Sequence, residues 1–456
     1  MKTGKIEASF RDPSGFVFHE NGVLYRQVNK SYAENYDMLM KSGLYEELVK
    51  RNFLVKHEEA SGIKMTGERY KVIKPELIPF ISYPYEWSFS QLKDAALLTL
   101  KIEKVAIKFD MTLKDASAYN IQFREGKPVL IDTLSFSTYR ENTPWVAYRQ
   151  FCSHFVAPLA LMSQKDIRLS QLLRIYIDGI PLDLASRLLP FRSWFKPTVF
   201  FHVHMHSRSQ QRFSETKVNP KEVGVNRFSL DNLLESLYDG VSAMRWKPEG
   251  TEWDEYYSNT NYSDTAMLEK GKAVSSFISK TKPEIVWDLG GNDGFFSRLA
   301  SDNGIPTISF DIDPAAIEKN YLTVKKLKEK NLLPLVLDLT NPSPSLGWGN
   351  EERESFAERG PADLALALAL IHHLTISNNV PFEGTASYFS KICKTLIIEF
   401  VPKDDSQVQR LLKNRADIFE SYTKENFEEQ FNRYFKIEDS CRIPMSKRVV
   451  YLMSVK

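Results

Sequence analysis

The stretch that decides the fold is Ile285-Val286-Trp287-Asp288-Leu289-Gly290-Gly291-Asn292-Asp293-Gly294, followed by Phe295-Phe296-Ser297-Arg298-Leu299-Ala300. A short apolar run ends in an acid, turns on glycines and enters a helical pattern. Such a turn lets the backbone come close to a ligand. The chain downstream repeats the theme. Apolar runs at Thr307–Asp311, Leu333–Leu337, Ala362–Leu370 and Thr395–Phe400 alternate with helical stretches. That alternation predicts a parallel sheet with crossover helices. Tyr434–Asp439 and Arg448–Ser454, separated by a short polar stretch with Pro444, read as an antiparallel pair closing the sheet. With Glu284–Leu289 as the first, the expected strands number seven.

Acids sit at the carboxyl ends of these strands, where open α/β sheets bind ligands. Asp311 ends the second strand in Phe310-Asp311-Ile312-Asp313-Pro314, placed to accept hydrogen bonds from a ribose diol. Asp338 ends the third, where a carboxylate can accept from an exocyclic adenine amine. The glycine spacing differs from the G-x-G-x-x-G of dinucleotide-binding domains.

These features resemble a class I S-adenosylmethionine-dependent methyltransferase over roughly residues 253–456, with a seven-stranded Rossmann-like sheet. The resemblance implies S-adenosylmethionine as cofactor. It puts Asp288, Gly290 and Gly294 around the methionine portion, Asp311 on the ribose and Asp338 at the adenine, with Asn292 also among the cofactor-binding residues. Asn292 stands where many members have glycine, and asparagine tolerates left-handed backbone angles. The fourth strand leads into Leu370-Ile371-His372-His373-Leu374, without the Asn/Asp-Pro-Pro-aromatic motif of enzymes that methylate base amines. His373, His372 and Glu399 are the candidate catalytic groups, since imidazole titrates near neutrality and can take a hydroxyl proton. The aromatic segment Trp253 to Tyr257, with Tyr262, reads either as a lid over the cofactor or as linker packing.

The front of the chain reads as α+β. Strands Phe16–Phe18 and Val23–Val28 flank an Asn21-Gly22 turn, a hairpin signal. A helical stretch from Tyr32 to Lys50 and strands at Leu54–His57 and Tyr70–Ile73 follow, and Ser88 starts a helix reaching Lys108. Asp115 and Asn120 have the spacing of a kinase catalytic loop, and Asp132 follows an apolar strand. This order resembles a degenerate protein-kinase-like fold. The resemblance implies a second nucleotide site with Mg-ATP, in which Asp115 orients a hydroxyl, Asn120 and Asp132 hold magnesium, and Arg26 contacts phosphate. A glycine-rich loop is missing, and Thr133-Leu134 follows Asp132 in place of Phe-Gly. His202, His204 and His206 alternate but read as a polar patch, with no metal expected.

The domains expected are 1–140, α+β; 141–250, a mostly helical lobe; and 251–456, the methyltransferase. The chain has 456 residues and a formal charge of +2, which divides into +7 before Thr251 and −5 from it onward. No Lys/Arg run argues for nucleic acid, and no apolar run suffices for a membrane span. Three scattered cysteines fit a reducing cytoplasm and exclude a disulfide framework. Taken whole, the chain resembles a bacterial family of two-part nodulation-type methyltransferases linked with surface-carbohydrate modification. Arg11 to Gly15, Leu113 to Ser117 and Ile371 to Leu374 carry that likeness. It implies O-methylation of a small-molecule or carbohydrate acceptor selected by the front domain. The alternatives are a bifunctional kinase/methyltransferase acting on a glycan, and a non-catalytic two-ligand binding protein.

Overall fold

The structure, a computed structural model, describes residues 4–63, 68–208, 224–248, 264–413, 415–444 and 446–456. The segment read as a lid or as linker packing lies outside them. The chain forms two compact units: residues 1–247 with 346–353, and residues 248–345 with 354–456. The segment 346–353 thus departs from the expected order, since it belongs to the first unit. There Arg11 donates to Glu352 from Nε (2.9 Å) and NH2 (2.7 Å), and the Arg353 guanidinium lies 4.4 Å from the Tyr119 ring.

In the first unit, β1 (Gly4–Lys5), β2 (Gly15–Glu20), β3 (Val23–Asn29), β4 (His57–Glu59) and β5 (Arg69–Pro75) form an antiparallel sheet in the order β1-β2-β3-β5-β4. Asn21 (φ 52°) and Gly22 (φ 81°) both take the left-handed angles that a two-residue hairpin turn requires. The helical stretch after β3 is two helices, Ala33–Lys41 and Leu44–Lys50, broken at Gly43 with φ 87°. Ser88 caps the helix Phe89–Lys108: its side chain accepts from Gln91 N, and Gln91 Oε1 accepts from Ser88 N. Two small antiparallel pairs follow, β6 (Met111–Leu113) with β9 (Phe136–Thr138) and β7 (Ile121–Arg124) with β8 (Lys127–Leu130). From Tyr148 to Ala243 the described chain is helical turns and helices.

The three alternating histidines, His202, His204 and His206, fall on a single π-helical turn, Phe200–Met205, and the residue after it. His204 is bonded to Ser186 (2.7 Å) and Ser193 (2.8 Å) and stacks on Trp194. His202 meets the Tyr148 hydroxyl at 2.7 Å, and His206 stacks on the same tyrosine. They are packing groups of the lobe.

The second unit holds one seven-stranded sheet: β10 (Val286–Leu289), β11 (Thr307–Asp311), β12 (Leu332–Val336), β13 (Ala362–Ala367), β14 (Cys393–Phe400), β15 (Phe435–Arg442) and β16 (Val449–Val455). The spatial order is β12-β11-β10-β13-β14-β16-β15. The first five strands are parallel, and β16 runs antiparallel between β14 and β15. The order reverses between β10 and β13, so the carboxyl ends of these two strands border the crevice where such sheets take ligands. Both faces of the central strands are buried, which accounts for runs such as Ala-Asp-Leu-Ala-Leu-Ala with little alternation. Among the described residues no helix is long and apolar enough to cross a membrane.

Candidate functional site

A cavity of about 340 Å³ opens at the carboxyl ends of β10, β11, β12 and β13, entirely within the second unit. Asp288, Gly290, Asn292, Asp311, Asp338 and His373 line it, so six residues singled out in the sequence converge there. Gly294 does not. It stands at the start of the helix Phe295–Ser301 with φ 86° and shapes the turn from outside the wall.

The turn after β10 is built for close approach. Gly290 (φ 78°) and Asn292 (φ 49°) are left-handed. A Cβ on Gly291 would lie 2.4 Å from Ser309 Oγ and 2.9 Å from Asp288 Oδ2, so a larger residue does not fit. The N–H groups of Gly290 and Gly291 both donate to the Phe310 carbonyl at 2.8 Å, which ties the turn to β11.

Asp311 closes this arrangement. Its Oδ2 accepts from Asn292 N and its Oδ1 from Asp313 N, each at 2.9 Å. Two backbone donors fix the carboxylate and leave acceptor positions on both oxygens. Asp288 is 1 % exposed and accepts from Ser297 Oγ at 2.6 Å. Burial pushes both carboxyls up to about 6; Asp311 adds to the rise at Asp288, while the Ser297 bond opposes it. Asp338 Oδ1 accepts from the backbone and hydroxyl of Thr340 (2.8 and 2.6 Å) at the rim of the cavity.

The three catalytic candidates separate. His373 lines the cavity, and burial, then the nearby Arg448 cation, pushes its imidazole down to about 4. His372 is fully buried, with its ring 4.2 Å from that of His373. Neither of its ring nitrogens has a hydrogen-bond partner among the described residues, and it does not line the cavity. Glu399 is also fully buried behind the wall. Its Oε2 accepts from Lys270 Nζ at 2.6 Å and from Ala369 N at 2.7 Å, while Arg448 lies 3.7 Å from Oε1. A carboxylate held by two cations and a backbone N–H is a poor proton acceptor, so its geometry runs against the expectation of a base. What it does hold is Ala369, a non-glycine residue with φ 49° in the cavity wall.

Lys270 was not legible as a site residue, although it lines the cavity. One signal was available. On the helix Asp264–Thr281 it falls at the spacing of Ala266, Val274 and Ile278, which are all buried. A lysine inside an apolar stripe needs a buried partner.

In the first unit the candidate nucleotide residues also meet, but they bond to one another. Arg26 pairs with Asp132 at 2.7 Å and with Asp12 at 2.8 Å. Asp132 accepts from Leu134 N and Ser135 Oγ, and Asn120 donates to that same hydroxyl at 3.3 Å. Asp115 accepts from Ser117 N and bonds Asn120 and Gln150. Burial, and then Asp132, raises its carboxyl above the usual range. Lys114 donates to Ser14 Oγ at 2.6 Å and lies over the Tyr32 ring. Among the described residues no group of three or more His, Cys, Asp or Glu side chains is arranged to hold a metal ion. The expected magnesium ligands are therefore engaged in a closed network, with Asp132 taken by Arg26.

No family model matches the chain. Among solved structures it is similar to the PH0226 protein from Pyrococcus horikoshii OT3, with 19 % identity, a TM-score of 0.32, and coverage of 45 % of this chain and 100 % of that one. It is also similar to magnesium protoporphyrin IX methyltransferase (ChlM) from Synechocystis PCC 6803 with bound SAH, at 13 % identity and a TM-score of 0.32, covering 45 % and 93 %. The bifunctional kinase-methyltransferase WbdD is 14 % identical with a TM-score of 0.30, covering 46 % of this chain and 43 % of WbdD. The sequence likeness reaches much further than these: nodulation protein NoeA of Rhizobium meliloti (strain 1021) is 36 % identical over 459 residues, 99 % of this chain and 96 % of NoeA. Identity at that level across both units, from the front hairpin to the closing strands, means that the chain belongs to the NoeA family of nodulation proteins.

Proposed function

We propose that the second unit is an S-adenosylmethionine-dependent methyltransferase acting on a hydroxyl of a small molecule or glycan, and that the first unit selects the acceptor. The observation that carries this reading is the convergence of Asp288, Asp311 and Asp338 on one cavity beside a turn into which no side chain fits at Gly291. The residues suit the cofactor. Asp311 offers open acceptor positions to a ribose diol, Asp338 sits at the rim toward an adenine amine, and Asp288 lies deepest, toward the methionine portion. When bound, S-adenosylmethionine supplies an electrophilic methyl group on a sulfonium.

The chain's own work is alignment and proton handling. Alignment in a desolvated site accounts for much of the rate of a displacement reaction. Burial pushes the His373 imidazole down to about 4 and makes it a weak base. Its ring nitrogen works chiefly by accepting the hydrogen bond of the acceptor hydroxyl and aligning it, and takes the proton only once the oxygen is bonding to the methyl carbon and has become strongly acidic. We expect His373→Ala to lower kcat by roughly 10²-fold or more while leaving the dissociation constant for S-adenosylmethionine within about twofold. Equal losses in both would show that His373 holds the cofactor site and not the acceptor.

The raised carboxyls give a pH signature. A carboxyl at about 6 in the fold, against roughly 3.9 when unfolded, holds its proton more tightly folded. That contribution to stability is full below about pH 4 and is lost as pH rises through about 6. Ribose donors and a sulfonium favour the ionised form, so cofactor binding has the opposite trend. Affinity measured by calorimetry should be roughly tenfold weaker at pH 5 than at pH 7. A flat profile would remove Asp288 and Asp311 from the cofactor contacts. The experiment that tests the whole reading is incubation with isotopically labelled S-adenosylmethionine in cell extract, followed by identification of the labelled product.

A further inference from the structure

The helical lobe of the first unit carries a surface that the methyl-transfer reading does not use. From residue 184 to residue 208 the sequence has no Asp or Glu, while Arg187, Arg192, Lys196 and Arg208 stand there. Within 191–208 every exposed position is a Phe, Met, Pro, Arg or Lys. Phe191 and Phe195 are 77 % and 74 % exposed and meet edge to face at 5.6 Å. Phe201 and Met205, i and i+4 on the π-helical turn, are 59 % and 41 % exposed.

A chain of ring contacts joins the two turns that carry them. Trp194, from the turn that carries Phe191 and Phe195, packs on Phe200 (6.0 Å) and His204 (4.1 Å) of the next turn. Phe200 in turn meets Phe201 at 5.0 Å, and the Arg208 guanidinium covers Trp194 at 4.6 Å. Beneath it the buried His204, bonded on both ring nitrogens, fixes the two turns together. The exposed rings are thus held outward by a rigid base. An isolated exposed apolar residue needs no explanation, but a contiguous apolar patch marks a binding surface.

We propose that this face docks the protein on the surface of an anionic membrane. Exposed phenylalanines enter the boundary between headgroups and acyl chains, and flanking Arg and Lys side chains reach the lipid phosphates. Charge complementarity selects this partner: exposed Arg192 and Lys196 flank the phenylalanines of their turn, exposed Arg208 covers Trp194, and no acidic residue stands among the described positions from 184 to 208. The exposed positions include no Asn, Gln or Tyr, the residues that read bases or stack on them, which argues against nucleic acid.

The test is co-sedimentation of the full chain with vesicles of phosphatidylcholine alone and of phosphatidylcholine with phosphatidylglycerol. Retention on the anionic vesicles only, weakened by salt, is the expected result. Phe191→Ser/Phe195→Ser and Arg192→Glu/Lys196→Glu should each lower that partition at least about tenfold. All four side chains are exposed, so unchanged circular dichroism and thermal midpoints are expected alongside. Retention on neither vesicle, or partition unchanged in both variants, overturns the proposal. So does a dimer in solution that the phenylalanine variant dissociates without vesicle binding, which would assign the patch to a second copy. Binding of a short DNA duplex in place of vesicles would assign it to nucleic acid and overturn it equally.

Discussion

Asp311→Ala is expected to lower the affinity for S-adenosylmethionine by more than about a hundredfold. Two hydroxyls of a ribose diol donating to an ionised carboxylate contribute roughly 1.5–3 kcal/mol each, so losing both costs at least about 3 kcal/mol. A second loss adds to it. The same carboxylate accepts the N–H groups of Asn292 and Asp313, so it also holds the turn after β10 against β11. Asp311→Asn separates the two effects. Its amide oxygen can still accept one backbone bond, but the charge is gone, and a loss of about tenfold is expected with a flattened pH dependence between 5 and 7. Calorimetry at several pH values, with thermal midpoints as a control for folding, reads both. Unchanged affinity in Asp311→Ala would sink the assignment of this cavity to the cofactor.

How much of this was legible depends on whether the cause was local. Strand β11 begins after Pro306 and ends at Asp311 as the sequence predicts, because proline and the Asp-x-Asp-Pro helix start punctuate it. The Asn21-Gly22 hairpin and the Ser88 cap were equally local. The turn at Gly290 to Gly294 was found for the same reason: its backbone angles demand its residues. Partners far along the chain were not legible. Glu399 stands at a strand end as read, but its cation comes from 129 residues earlier, and that pairing turned a candidate base into a buried anchor. His372 and His373 are neighbours, and only the packing of the turn that follows decides which imidazole reaches the cavity. Arg26, Asp115, Asn120 and Asp132 gather as their spacing suggested, yet the spacing could not show that Arg26 would neutralise Asp132. Nor could periodicity assign Leu346–Arg353, a short turn-rich segment with two glycines, to the first unit.

Lys270→Met should destabilise the second unit by about 3 kcal/mol, the lower end of the usual cost of breaking a buried ion pair by removing one partner. Lys270 is 2 % exposed and Glu399 is not exposed at all, so water cannot replace the missing cation. Burial lowers the Lys270 ammonium below its ordinary value, Glu399 and then Asp288 oppose that shift, and Arg448 adds to it. Arg448, 3.7 Å from Oε1, compensates only in part, since its Nε and NH2 are committed to Asp405 at 2.7 and 2.9 Å. The damage should reach the cavity, because Glu399 also fixes the N–H of Ala369 in the wall. Thermal or urea unfolding of Lys270→Met, Glu399→Gln and the double variant forms a cycle. The double variant should be more stable than Lys270→Met, since a neutral amide replaces a buried carboxylate that has lost its nearest cation. Simple addition of the two losses would mean that the pair is not coupled. The double variant should nonetheless bind S-adenosylmethionine less tightly than the native chain, because a neutral amide holds Ala369 less firmly than a carboxylate does. Stability recovered without affinity would identify Glu399 as a positioning residue for the cavity wall and Lys270 as the cation that lets it stay ionised there.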